Sequence, residues 1–168
     1  MTILTTVLSG AVGMNLFSSS PPNRSSRLYR ALVESGLAVS LSGSMPAMLD
    51  PYLYQVAATA RAGNSPAQVE EALDREIDRV LEQPISEEEL QRAIKQTKAQ
   101  FAYSSESVTN QGFWLGTSAI VADTDWFETF LDRAEAVTVQ DVQRVAQSHL
   151  RRGNRTVGHY LPQGGERA

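Results

Sequence analysis

Cysteine is absent from this chain of 168 residues, and histidine is almost absent, with only two. Without cysteine there is no disulfide, no thiolate zinc site and no cysteine nucleophile. His149 and His159 leave little for hydrolytic or metal chemistry, which ordinarily draws on a neutral imidazole as base or ligand. Positive charge is scarce as well: 15 Lys plus Arg against 19 Asp plus Glu give a net charge of −4. That charge is spread along the chain, so there is no basic face to neutralise phosphates and no nucleic-acid partner is expected. No apolar run approaches the roughly 18 residues of a membrane span. A leader peptide would open with Lys or Arg, whereas the first positive charge here is Arg24, so a cytoplasmic location is expected. What remains is an ordinary globular composition, 42% hydrophobic and 20% charged, at a length that suits one domain.

The periodicities predict mostly helices. Met1 to Gly13 is small and apolar and reads as a short packed helix. Asn15 to Ser26, rich in Ser, Pro and Asn, reads as a loop. Leu28, Ala31, Leu32 and Val33 form a helical stripe that Gly36 should end. Leu37–Ser42 and Tyr52–Thr59 read as two strands of an antiparallel hairpin with a long connection. Ser65-Pro66-Ala67-Gln68 and Ser86-Glu87-Glu88-Glu89 are capping boxes, each opening a helix. Val69, Leu73, Ile77, Val80 and Leu81 should line the inner face of the first, with Leu73 and Ile77 in the core. Leu90, Ile94, Thr97 and Phe101 should line that of the second, with Glu88 and Arg92 paired outside.

Polarity rises from Ser104 to Gly112 before a compact apolar run, Phe113–Val121. Asp123 or Thr124 caps a short helix carrying Trp126, Phe127, Phe130 and Leu131, and Thr138 opens a last helix. After a Gly153-Asn154 turn, Arg155–Leu161 is expected as a closing strand, followed by a polar tail over 163–168. Five or six helices over a thin antiparallel sheet, with no alternation of strand and helix, make the class α+β.

The candidate chemistry is thin. No two histidines share a helix turn with a glutamate; His149 near a helix end complements the dipole, and His159 sits on a strand surface. No G-x-S-x-G elbow presents a serine nucleophile. The paired carboxylates Glu70-Glu71 and Glu87-Glu88-Glu89 belong to solvated faces and caps, and Arg151, Arg152 and Arg155 to helix-end compensation and solubility. Trp114, Trp126, Phe113 and Phe127 read as core or interface anchors. No catalytic residue and no metal ligand is assigned.

The wording of three segments carries a resemblance. Ser26-Arg27-Leu28-Tyr29-Arg30-Ala31-Leu32-Val33-Glu34-Ser35-Gly36-Leu37-Ala38 resembles the start of the C-terminal domain of the M16 peptidases, the insulinase and pitrilysin family. Ala136 to Ala146 is similar to that domain's final helix, and Asn154 to Gly158 to its closing strand. The resemblance implies an M16 peptidase-like half of the LuxS/MPP-like fold, spanning residues 1–162 as one domain and incomplete at its N-terminal side. In such enzymes an N-terminal domain bears zinc on an H-x-x-E-H motif, and a metal-free domain closes over it around an unfolded peptide. This chain has no H-x-x-E-H. The resemblance therefore implies a non-catalytic domain that helps enclose and orient peptide substrate, with zinc only in a partner domain or subunit. Aligned on Gly36-Leu37-Ala38, the family's substrate-contacting arginine and tyrosine fall at Leu32 and Val39. The alternative is a stand-alone scaffold or interaction module without a proteolytic role. Either way the thin sheet and the aromatic run predict a homo-oligomer in isolation.

Overall fold

The computed structural model describes residues 1–11, 24–50 and 52–161. Most of the expected 15–26 loop and the 163–168 tail lie outside those residues.

The first helix, α1 (Thr2–Ser9), carries no charge and is buried along Ile3, Leu4, Thr5, Thr6, Val7 and Leu8. Burying threonines is tolerated because their hydroxyls bond back to the helix: Thr5 and Thr6 both donate to the Thr2 carbonyl, at 2.8 and 3.0 Å. The Thr6 oxygen lies 3.2 Å from the Thr97 hydroxyl, and with its own proton committed to Thr2 it accepts from Thr97. A short turn, α2 (Arg27–Tyr29), runs on as one π-helical turn, Arg30–Glu34, and stops at Gly36, whose φ of 82° suits glycine.

The strands β1 (Ala38–Ser44) and β2 (Gln55–Ala60) pair antiparallel, with Ala38 opposite Ala60, Leu41 opposite Ala58 and Ser44 opposite Gln55. A bulge falls between Ala38 and Ser40. At Gly43 the strand passes so close to α1 that any Cβ would collide with the Ser9 side chain.

Helices follow: α3 (Pro66–Glu82), α4 (Glu87–Ser104), α5 (Val108–Val121), α6 (Thr124–Glu128), α7 (Phe130–Glu135) and α8 (Val139–His149). The capping boxes at Ser65 and Ser86 form with both reciprocal bonds, and Thr138 with Asp141 makes a third. Asp123 caps α6 through the Trp126 N–H at 2.8 Å. The Thr138 hydroxyl and the nearby Arg144 hold the Asp141 carboxyl down at about 2. The main core joins α1 with Leu28, Val80, Leu90, Ile94, Val142 and Ala146; a smaller one, Leu32, Ala38, Val69 and Ala72, lies under the sheet.

The α+β class stands, with two corrections. Residues 155–161 are not a closing strand: they form no ladder, and among the described residues the sheet has two strands. Their pattern suits a strand, but a strand exists only through its neighbour's hydrogen bonds, and none is provided. Residues 108–112, within the stretch of rising polarity, are already helical, because Ser107 caps α5 through the Asn110 N–H. On α3 the fully buried positions are Val69, Ala72 and Val80, while Leu73 and Ile77 pack on the core only partly buried.

Candidate functional site

The positions that the family resemblance singles out lie on neighbouring elements with opposite environments. Leu32, on the π-helical turn, is fully buried against Ala38, Val69 and Ala72. Val39, on β1, is 55% exposed. The histidines do not converge. His149 closes α8, whereas His159 lies on the exposed segment after it with Nε2 2.9 Å from Glu70 Oε2. Among the described residues no three His, Cys, Asp or Glu side chains are grouped to hold a metal ion. The donor set therefore does not fit a zinc centre.

The arginines after α8 are expected to compensate the helix end, and the structure corrects this for two of them. Arg152 reaches Asp78 at 3.0 Å, and Arg155 contacts both Asp74 and Glu70, the latter at 2.7 Å. All three acids are on α3. Arg151 does cap its own helix end, donating to the Ser148 carbonyl at 3.0 Å. Glu88 and Arg92 pair on the outside of α4 as expected.

Two polar groups that the sequence reading missed are half-buried. Arg27 makes a bidentate pair with Glu89, both bonds at 2.8 Å, so the N3 carboxylate of the α4 capping box also ties α2 to α4. The Arg27 hydrogen bonds hold the Glu89 carboxyl below the usual carboxylate range, and the same bonds raise the guanidinium. The Tyr54 hydroxyl donates to Ser9 Oγ at 2.9 Å, and Ser9 in turn donates to the Thr5 carbonyl. Burial pushes the Tyr54 phenol up to about 12. Neither cluster faces a cleft with room for substrate. The cavity beside Glu89 and Ser26 measures about 20 Å³, space for one water. An open groove of about 540 Å³ between the start of α4 and the α7–α8 turn is lined by Leu90, Val137 and Val139 between Glu87 and Glu135.

What the surface does offer is apolar area. The β1–β2 connection exposes Met48, Leu49, Tyr52 and Leu53. The helix α5 contains no charged residue, yet only Ser118 on it is buried, and Val108 and Ile120 are 84% and 69% exposed. The rings of Phe101, Phe127, Phe130 and Trp126 form a cluster with neighbouring centroids 5.1–5.3 Å apart, Phe101 and Phe130 stacked and the other pairs tilted. No described helix is long and apolar enough to cross a membrane.

Residues 1–97 match the family model described as the peptidase M16 inactive domain. No curated protein matches the chain. Among solved structures it is similar to a provisionally assigned zinc protease of Bordetella pertussis Tohama I, with 28% identity, a TM-score of 0.78, and 96% of this chain covering 82% of that one. The inactive peptidase domain of such a protease from Bordetella parapertussis gives 28%, 0.79 and the same coverage. A protease from Helicobacter pylori shares the fold at 17% identity and a TM-score of 0.75, over 89% of this chain and 33% of that one.

Proposed function

The chain belongs to the M16 peptidases, as their inactive domain, and from that membership we propose that it is the non-catalytic half of a zinc metallopeptidase, enclosing and orienting peptide for a separate zinc-bearing domain or subunit. Residues 1–162 act in this reading as one domain. The observation that carries it is the uncharged, uncovered helix α5: a wall that must accept many sequences needs apolar area and backbone, not a fixed set of charges. Of the two positions aligned with the family's substrate contacts, Leu32 is sealed beneath the sheet and only Val39 is accessible, so any peptide contact there is apolar. The chemistry of cleavage, in which a metal polarises the scissile carbonyl and activates water, resides in the partner.

The test is reconstitution with a zinc-bearing M16 chain. Neither chain alone should cleave an unfolded peptide, and the mixture should do so in a chelator-sensitive manner. Ile120→Asp should lower kcat/KM of the mixture while leaving the melting temperature of this chain within about 2 °C, as expected of an exposed site. A mixture no more active than the zinc-bearing chain alone overturns the proposal, as does hydrolysis by this chain unaided.

A further inference from the structure

One buried hydroxyl stands without a partner. Ser26 is 2% exposed, and its Oγ makes no hydrogen bond among the described residues. It holds the N-cap position of α2, where a serine ordinarily accepts from a helix N–H, yet it makes no such bond. Burying a hydroxyl this way costs free energy, because the hydrogen bonds it made to water are not replaced. A polar group in that position calls for a ligand.

Ser26 lines the cavity of about 20 Å³ beside Glu89. The bonds already made around this space show what is still open. Of its other lining residues, Thr6 is engaged with Thr2 and Thr97, and Arg92 with Glu88. Gln96 donates to Ser25 Oγ at 2.8 Å. Glu89, kept ionised by Arg27, can accept at about four lone-pair positions. Its Oε1 takes Arg27 Nε, and its Oε2 takes Arg27 Nη2 and the Ser86 N–H, so one position on Oε1 stays open. An orphan hydroxyl and an open carboxylate position thus belong to side chains bordering the same small space.

We infer that this cavity is a binding site for one water molecule, which donates to Glu89 Oε1 and hydrogen-bonds the Ser26 hydroxyl. The volume suits water, which needs at least about 10–15 Å³ and two to four polar partners. It does not suit a divalent cation. Such an ion demands about six or more oxygen ligands, and here the Arg27 guanidinium already sits on the carboxylate while Arg92 forms part of the wall. Arg27 and the Ser86 cap are two attachments of Glu89, and the water is a third, fastening the start of α2 to the first turn of α4.

A crystal structure of the full chain at near-atomic resolution tests this, together with thermal melts of Ser26→Ala. An ordered water about 2.7–3.0 Å from both Ser26 Oγ and a Glu89 oxygen is expected. Ser26→Ala leaves that water short of a partner and should lower the melting temperature by about 2–4 °C, with the helical circular dichroism of the folded chain unchanged. If the hydroxyl is instead unpaired, the same substitution removes its burial cost, and the melting temperature holds or rises; that result overturns the inference. So does density with no water at the Ser26 hydroxyl, and so does a metal ion there, recognised by oxygen distances of about 2.3–2.6 Å.

Discussion

Two helices of this chain have the same character in sequence and opposite fates in the fold. Both α1 and α5 are apolar and without charge. Six of the eight residues of α1 are buried, whereas α5 buries Ser118 alone among its fourteen. The difference lies in their neighbours. Around α1 stand α2, α4, α8 and β1, while α5 leans chiefly on the short α6. Hydrophobicity states that a helix is to be covered; it does not say by what. In α1 the cover is internal, whereas α5 is left exposed among the described residues.

The largest effect should come from truncating the covered helix. Leu8 is fully buried, so Leu8→Ala should cost about 2–5 kcal/mol in a urea melt. Ile120→Ala on α5 should cost no more than about 0.5 kcal/mol. Equal losses would abolish the distinction between the two helices.

Glycine sharpens it next, because one substitution should change sign. Gly43→Ala forces β1 away from Ser9 of α1 and should cost about 1–3 kcal/mol. Gly116→Ala on α5 meets nothing within 4 Å and, as a helix-interior glycine replaced by alanine, should stabilise by about 0.5–1 kcal/mol. Thermal melts of both variants decide the matter.

A third difference concerns alkali. The Tyr54 phenol, buried against α1, ionises at about 12 in the fold against 10 when unfolded. A raised value means that its contribution is complete below pH 10 and is lost as pH climbs through about 12. Stability measured across that window should fall, and Tyr54→Phe should flatten the slope. The smallest effect is on a solvated face: Glu88→Ala breaks only the exposed pair with Arg92 and should cost within about 0.5 kcal/mol.

The legible parts of this fold were those encoded locally. Ser65 with Gln68 and Ser86 with Glu89 announced their helices because a capping box is complete within four residues, and Gly36 marked a stop because its backbone angle is a property of one residue. The misread parts depend on distant partners. Arg155 to Leu161 has a strand's composition, yet the row of acids on α3 that captures Arg155 and His159 lies more than eighty residues earlier in the chain. The inner face of α3 is only partly legible because alanine carries little weight in a periodicity, although Ala72 is buried there beside Val69 and Val80. Of the two positions the family resemblance points to, Leu32 is sealed and Val39 exposed, and no pattern in the sequence tells a sealed leucine from an exposed valine on the next element. The Arg27–Glu89 pair left no signal at all, since its two ends are 62 positions apart.

The burial of α1 also has a consequence in time. Thr6 meets Thr97 across 91 positions, and Val142 and Ala146 of α8 come later still. At roughly 5–20 residues per second of synthesis, α1 waits about 5–18 s for α4 and longer for α8. Throughout that interval an uncharged apolar helix has only α2 and β1 beside it and lacks α4 and α8, open to capture by a chaperone or by another nascent chain. The most protected element of the finished molecule is thus the most vulnerable one while the chain is being made.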